Sequence, residues 1–433
     1  MKKIMVDMSA TLIHHGHIRL LKKASEIGEV IVGLTTDEEI FNYKGYMPEL
    51  AFEYRKEILE SIKYVSSVVA VPWLLDEYIL NKYNIDFLAH GADNSNLIPK
   101  EKLKIFSRTK GVSSSDIRKN ILHSITQINN KKLMLTPGPA AVLAQNLQNI
   151  KPIFGRGDDE YDNMSNAVTK WVKEISGADE VITLQGSATL ALEIAAHSFI
   201  SGKVLLVSTG YYSDRLKKLL PNNCQLTICT YENLTKIKKT FDWVLCAYTE
   251  TSVAFKVNLP LVKKQAEQLS AKLFVDATGS IGLEEHHNLA DVMAFSSCKG
   301  LFGLTGAAFI GYKSKLPSKK LDYFYFNLET HKNKMVTGAY HAIASLYGVI
   351  KQHNMLKQRV INSKNLVLKK WSNITRSINQ PLLCTYLDGE VVANDNNIIL
   401  YTPRSKLTGS VVCHLGEVYK DSLNITNRIS IKC

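Results

Sequence analysis

Apolar strands alternating with helical segments predict an α/β chain, and 433 residues are enough for two domains that each bury a core. Two observations carry this. Runs such as Glu29-Val30-Ile31-Val32-Gly33-Leu34 and Lys203-Val204-Leu205-Leu206-Val207 are nearly all apolar, as strands covered on both faces must be. Many of these runs end in a turn rich in glycine, hydroxyl or charged residues, where open α/β sheets build their ligand sites.

Composition narrows the class. The chain is 45% hydrophobic and 21% charged, ordinary for a globular protein. No apolar run approaches the roughly 18–20 residues of a membrane span, so no membrane insertion is expected. The start, Met1 to Asp7, lacks the shape of a secretory signal, and a cytoplasmic location is expected. The seven cysteines (224, 229, 246, 298, 384, 413 and 433) show no metal-ligand spacing and read as small buried hydrophobes. No metal ligands can be assigned. A net charge of +13, spread along the chain, fits a lysine-rich surface that attracts anionic small molecules. No arginine-rich arm or RNA-binding aromatic pattern accompanies it, so nucleic acid is not expected as a partner.

In chain order, Lys3 to Asp7 reads as a first strand, and a helix covers Ile18 to Ala24. Glu29 to Leu34 is a second strand. Val68–Val71 and Asp86–His90 are further strands, separated by helical segments at Phe52–Ile62 and Leu74–Lys82. This order predicts a parallel sheet with helices on both faces. His14-His15-Gly16-His17 falls after the first strand, at the start of a helix. There Gly16 admits close backbone approach, the helix N-terminus attracts phosphate, and His14 and His17 can donate to phosphate oxygens. A second cradle reads from Arg108-Thr109-Lys110-Gly111 into Val112-Ser113-Ser114-Ser115, where hydroxyls open a helix.

These stretches resemble the nucleotidyltransferase superfamily, specifically small cytidylyltransferases of the glycerol-3-phosphate and ethanolamine-phosphate type. The family's HxGH matches His14, Gly16 and His17. Its RTxGxSTT matches Arg108, Thr109, Gly111 and Ser113, with Ser114 and Ser115 in place of the threonines. Thr35-Thr36-Asp37, Tyr43-Lys44-Gly45, Arg55-Lys56 and His90-Gly91-Ala92-Asp93 look similar too, and Met8 to His17 follows the spelling of the cytidylyltransferase domain fused to some phosphoenolpyruvate mutases. The resemblance implies a Rossmann-like domain over residues 1–130 that uses CTP with Mg2+. It implies His14, His17, Lys44 and Arg108 as catalytic residues. Ser9, Gly16, Asp93, Thr109, Gly111, Ser113, Ser114 and Ser115 join the histidines and Arg108 as nucleotide contacts. The family carries an aspartate three residues before the first motif histidine; this chain has Thr11.

Lys119 to Lys132 is polar and basic after one apolar turn, and its later part reads as a linker of about ten residues. Beyond it, Leu133-Met134-Leu135-Thr136-Pro137-Gly138-Pro139 opens the second domain, 131–433. Strands at Val181–Leu184, Lys203–Val207, Trp243–Ala247, Lys272–Val275 and Asp291–Phe295 are each followed by a chemically distinctive turn. After the first come Gln185-Gly186-Ser187-Ala188-Thr189 and a helix, an anion site made of backbone N–H groups and hydroxyls. Thr209-Gly210-Tyr211-Tyr212 follows the second strand, and an aromatic there can stack on a flat ring. Thr249-Glu250-Thr251-Ser252 follows the third, Asp276 ends the fourth and Lys299 follows the fifth. A lysine that forms a Schiff base and an aspartate that keeps a pyridine nitrogen protonated are the two groups pyridoxal phosphate requires.

This half resembles the class V, fold-type I, pyridoxal-phosphate-dependent aminotransferases, with TPGP at Thr136–Pro139 and LQGS at Leu184–Ser187. The family's cofactor residues fall on Ser187, Ala188, Thr189, Tyr212, Thr251, Asp276 and Lys299. Thr337 falls where a partner subunit lends a phosphate contact, which implies a homodimer. Alanine and pyruvate are implied as amino donor and acceptor. However, the family arginine that grips a carboxylate corresponds to Val411, which cannot make a bidentate clamp, and Arg404 is the candidate replacement. Together the halves lead us to expect phosphonate biosynthesis: phosphonoacetaldehyde to 2-aminoethylphosphonate, then to CMP-2-aminoethylphosphonate and pyrophosphate. Serinol phosphate and ethanolamine phosphate are alternative amines, and a structural or dimerising role for one half is the alternative to two activities.

Overall fold

The computed structural model describes residues 2–92, 94–107, 109, 111–128, 132–150, 155, 157–376, 379–416, 418 and 424–432. They divide into two compact units, 1–125 and 126–433.

The first unit runs β1 (Lys3–Met8), α1 (His15–Ser25), β2 (Glu29–Thr35), α2 (Asp37–Lys44), α3 (Phe52–Glu60), β3 (Ser67–Val71), α4 (Glu77–Lys82), β4 (Phe87–Gly91), β5 (Leu103–Phe106) and α5 (Ser114–Ile128). Its strands form one parallel sheet in the order β3-β2-β1-β4-β5. Alternate side chains of β1 go to opposite faces. Ile4, Val6 and Met8 join Leu21, Ala24 and Leu59 on one side, while Met5 joins Ile31, Leu80 and Leu88 on the other. The loop after β1, at the centre of the sheet, carries the histidine motif.

Two local differences from the sequence reading have physical causes. The fourth helix begins at Glu77, not Leu74, because the Asp76 carboxylate accepts from Ile79 N at 3.1 Å and caps it there. The stretch expected as a linker is helical as far as Ile128. Ile117, Ile121, Ile125 and Ile128 recur at helical spacing through it, a period that the high polarity of the segment masks.

The second unit continues with β6 (Leu133–Leu135), α6 (Ala144–Leu147), α7 (Asp159–Ser176), β7 (Glu180–Gln185), α8 (Ala188–Phe199), β8 (Lys203–Ser208), α9 (Tyr211–Leu216), β9 (Gln225–Thr230), β10 (Trp243–Ala247), β11 (Thr249–Glu250), β12 (Phe255–Lys256), α10 (Leu259–Gln268), β13 (Lys272–Asp276), β14 (Val292–Ser296) and β15 (Ala307–Tyr312). After these come α11 (Leu328–Lys332), α12 (Tyr340–Val349), α13 (His353–Lys370), β16 (Cys384–Leu387), β17 (Glu390–Ala393), β18 (Ile398–Leu400), β19 (Ser410–Cys413) and β20 (Ile429–Lys432). The main sheet has seven strands, β7-β15-β14-β13-β10-β8-β9, all parallel except β15. Both faces are dry: Val244 and Cys246 of β10 face one core, Trp243 and Leu245 the other. Small two-stranded sheets, β16 with β19, β17 with β20 and β18 with β6, form a second layer that packs partly on α13 through Val367. The six described cysteines are all free thiols.

Candidate active sites

In the first unit, His14 is the N-cap of α1 and its Nδ1 accepts from Gly16 N at 3.1 Å. His17 Nδ1 in turn accepts from His14 N at 3.2 Å, which leaves the two imidazole rings 4.0 Å apart. A Cβ on Gly16 would lie 2.9 Å from the His14 ring, so this packing requires glycine. Burial, and secondarily the neighbouring His14, push the His17 pKa down to about 4. His17 is therefore neutral near pH 7, and an arriving polyanion would draw a proton toward it.

The second cradle meets the first. Ser113 caps α5, accepting from Asp116 N at 3.0 Å, and Ser114 Oγ donates to Leu12 O at 3.2 Å. Gly111 takes φ +82°, a left-handed turn. Thr109 and Ser115 lie on the same turn and helix start, while Arg108 and Asp93 fall outside the described residues. Ser9 sits on the loop after β1, where its carbonyl accepts from Arg55. Arg55 is fully buried, pairs with Asp37 at 2.6 Å and ties this loop to the end of β2. Lys44 ends α2 with its ammonium 4.8 Å over the Trp73 ring, which itself stacks on Tyr43 at 5.0 Å.

Sequence reasoning missed Arg118. It donates to the buried Thr11 hydroxyl at 2.9 Å and to Glu49 at 2.7 Å, joining the loop after β1, the loop after α2 and α5. At the position where the family carries an aspartate, this chain therefore presents a hydroxyl already bound to a guanidinium. Among the described residues no three His, Cys, Asp or Glu side chains gather as a metal site. Thr11 and Arg118 therefore offer no carboxylate to a divalent ion at this position, and no step below depends on one.

In the second unit, Lys299 follows β14 and Asp276 ends β13, its parallel neighbour. Asp276 is buried; it accepts from Thr278 N at 2.9 Å and pairs with Arg215 at 3.3 Å. The Lys299 ammonium and the Arg215 guanidinium lie 5.8 and 5.3 Å from the centre of the Tyr212 ring. Burial lowers the Lys299 pKa, and the Asp276 charge partly offsets this. A lowered pKa favours the neutral, nucleophilic amine. Gly138, at φ +140°, lies against the lysine stem: a Cβ there would be 3.0 Å from Lys299 Cγ. At the N-terminus of α8, Ser187 caps the helix by accepting from Leu190 N, and Thr189 Oγ1 accepts from Arg215 at 3.2 Å. Ala188 is the buried first residue of that helix.

Buried polar atoms without partners concentrate here. The hydroxyls of Thr136, Thr209, Thr249 and Thr278 and Nε of Arg215 make no hydrogen bond, and all belong to segments that surround Lys299 and Asp276. Such atoms are costly unless a ligand meets them. The arrangement fits pyridoxal phosphate: Lys299 and Asp276 as reactive and ring-nitrogen groups, Tyr212 against the ring, and the start of α8 for the phosphate. Thr251 is buried in the turn after β11. Thr337 lies elsewhere, on a cavity of about 200 Å³ beside the edge strand β7 with Tyr161, His331 and Tyr340.

Several supporting residues had no sequence signal of function. Glu250, fully buried, accepts from the backbone N–H of Tyr212 and Ser213 at 3.0 and 2.9 Å and fixes the Tyr212 turn. The Lys299 loop is held from outside. Asn146 donates to Phe302 O and Ser345 Oγ, both at 2.9 Å, and Ser345 Oγ accepts from Leu304 N at 2.9 Å. His353 Nε2 lies 2.8 Å from Gly300 O. Arg215 alone was legible in principle, one helical turn after Tyr212.

Fold and sites together define the class, a nucleotidyltransferase fused to an aminotransferase. Residues 10–120 match the cytidylyltransferase-like family model. Over 129 residues the chain is 34% identical to glycerol-3-phosphate cytidylyltransferase of Staphylococcus aureus, covering 28% of this chain and 96% of that protein. Through its first unit, the chain belongs to the cytidylyltransferase-like family. Over 260 residues it is 27% identical to 2-aminoethylphosphonate–pyruvate transaminase of Pseudomonas fluorescens, covering 51% of this chain and 68% of that one. The Pseudomonas aeruginosa transaminase is 26% identical over 202 residues, and there the chain spans about half, 54%, of the relative's length. Among solved structures, ureidoglycine–glyoxylate aminotransferase of Bacillus subtilis aligns with a TM-score of 0.56 at 16% identity, over 67% of this chain and 89% of that one. An aspartate aminotransferase of Thermus thermophilus gives 0.57 at 19%, over 66% and 93%. These last two establish the fold of the second unit.

Proposed function

We propose that the chain makes a nucleotide-activated aminophosphonate in two steps: transamination of phosphonoacetaldehyde to 2-aminoethylphosphonate, then condensation with CTP to CMP-2-aminoethylphosphonate. The reading rests on one observation above all. A lysine–aspartate site that fits pyridoxal phosphate, in a unit related to 2-aminoethylphosphonate transaminases, shares a chain with a histidine-motif cytidylyltransferase unit.

In the first unit, a phosphonate oxygen attacks the α-phosphorus of CTP, a new P–O–P link forms, and the bond to pyrophosphate breaks. His14 and His17 donate to the phosphate oxygens as charge builds there, and Lys44 and Arg108 add positive charge. The hydroxyls and N–H groups of the α5 turn orient the chain of phosphates. In the second unit, pyridoxal phosphate when bound supplies the electron-accepting ring on which nitrogen moves between donor and acceptor. With the cofactor bound, the Lys299 amine would take and return a proton, Asp276 would hold a proton on the ring nitrogen, and Tyr212 would stack against the ring. We place Thr337 at a partner's site in a homodimer. Val411, in place of an arginine, favours an amino donor other than alanine.

The test is a panel of 2-aminoethylphosphonate, ethanolamine phosphate and serinol phosphate with CTP and Mg2+, read as pyrophosphate release. 2-Aminoethylphosphonate should be preferred; turnover of another amine alone would replace it as substrate.

A further inference from the structure

The strand pair β16–β19, which carries Val411, offers no cation from its own residues. On β19 and β16, Val411 stands opposite Tyr386 and Cys413 opposite Cys384, and all four are buried. The cations nearer the reacting centre are committed: Lys299 is the reactive amine and Arg215 is tied to Asp276 and Thr189. A phosphonate-bearing amine would therefore need its anionic end met elsewhere.

Arg404 is placed for that. It lies on the segment between β18 and β19, and its guanidinium donates to the Tyr211 hydroxyl at 2.9 Å and sits 5.3 Å from that ring. Tyr211 packs edge-on against Tyr212, with ring centres 5.3 Å apart, and Tyr212 borders Lys299. On the same segment Tyr401 stands beside Tyr212, and burial raises its pKa. Among the described residues, Arg404 makes no ion pair with a carboxylate. It is exposed, so its remaining donors are open to an anion without the cost of stripping a buried charge.

We infer that Arg404, anchored on Tyr211, forms the entrance subsite that binds the phosphonate of the amine substrate. This rests on the aminophosphonate reading above and names the residue that enforces it. Arg404 acts on binding, since it lies at the mouth and not at the reacting carbon.

Three proteins, wild type, Arg404→Ala and Arg404→Lys, are compared as holoenzymes. The half-reaction is followed by cofactor absorbance with 2-aminoethylphosphonate and with its uncharged diethyl ester. Arg404→Ala should raise the half-saturating concentration of 2-aminoethylphosphonate about 10- to 100-fold, while the limiting rate changes by no more than about twofold. The diester should respond equally in all three, and lysine should restore part of the affinity. Unchanged saturation in Arg404→Ala, or an equal loss for the diester, overturns the inference. So does a loss produced by Arg376→Ala instead, whose guanidinium lies 3.8 Å over the Tyr386 ring. Calorimetry with methylphosphonate separates the two readings. Binding that weakens by the same factor in Arg404→Ala upholds the anion subsite even if 2-aminoethylphosphonate proves not to be the substrate. Equal binding by wild type and variant overturns it.

Discussion

Replacing Asn146 with alanine should loosen the loop that carries Lys299. Asn146 is 1% exposed and makes three buried hydrogen bonds: from Leu143 N at 2.7 Å, to Phe302 O at 2.9 Å and to Ser345 Oγ at 2.9 Å. Alanine leaves the Leu143 N–H without a partner, at about 1–3 kcal/mol, and removes two further bonds worth about 0.5–1.5 kcal/mol each. Roughly 3 kcal/mol of stability should be lost from the second unit. Ser345 also accepts from Leu304 N, so the effects of Asn146→Ala and Ser345→Ala should not add; a coupling of about 0.5 kcal/mol or more is expected. Urea unfolding of the two single variants and the double variant measures this. In the holoenzyme, the displaced lysine should slow the half-reaction by about tenfold or more, because misplaced reacting groups lose orientation. A loss under ~1 kcal/mol, or additivity within ~0.3 kcal/mol, would refute the claim that these residues clamp the loop.

Other outcomes follow from the same geometry. Gly138→Ala combines a left-handed φ with a 3.0 Å contact to the Lys299 stem, and should cost about 1–3 kcal/mol and slow the half-reaction, read by unfolding and cofactor absorbance. Glu250→Ala orphans the N–H groups of Tyr212 and Ser213; about 2–5 kcal/mol should go in urea unfolding, with weaker cofactor retention on dialysis. The His17 pKa is lowered in the fold from 6.5 to about 4, so the unfolded chain binds the extra proton between those values. Its contribution, about 3 kcal/mol, is present above pH 6.5 and lost as pH falls toward 4; His17→Asn should flatten that part of the stability–pH profile.

Much of both units was legible because strands buried on both faces leave continuous apolar runs, and because the chemical residues sit in the turns that end them. His14, His17, Tyr212, Asp276 and Lys299 were singled out in such turns, and the structure brings Tyr212, Asp276 and Lys299 to one end of the sheet. Residues that act by holding others were not. Asn146 meets Ser345 and Phe302 only through tertiary folding, and nothing in the sequence around it marks it. Glu250 stood inside a turn already noticed, but its partners lie almost forty residues earlier, on Tyr212 and Ser213. Arg118 gave no signal in the sequence, since its contacts with Thr11 and Glu49 link segments far apart along the chain. The helix running to Ile128 was hidden by its polar composition, since periodicity there rests on a few isoleucines.

The two-step account is tested most directly by pyrophosphate release from CTP and 2-aminoethylphosphonate by the full chain, measured in wild type, His14→Ala and Lys299→Ala. The account predicts release in wild type and Lys299→Ala and none in His14→Ala, with transamination showing the reverse dependence. No release from wild type with 2-aminoethylphosphonate, alongside turnover of a different phosphorylated amine or alcohol, would contradict it.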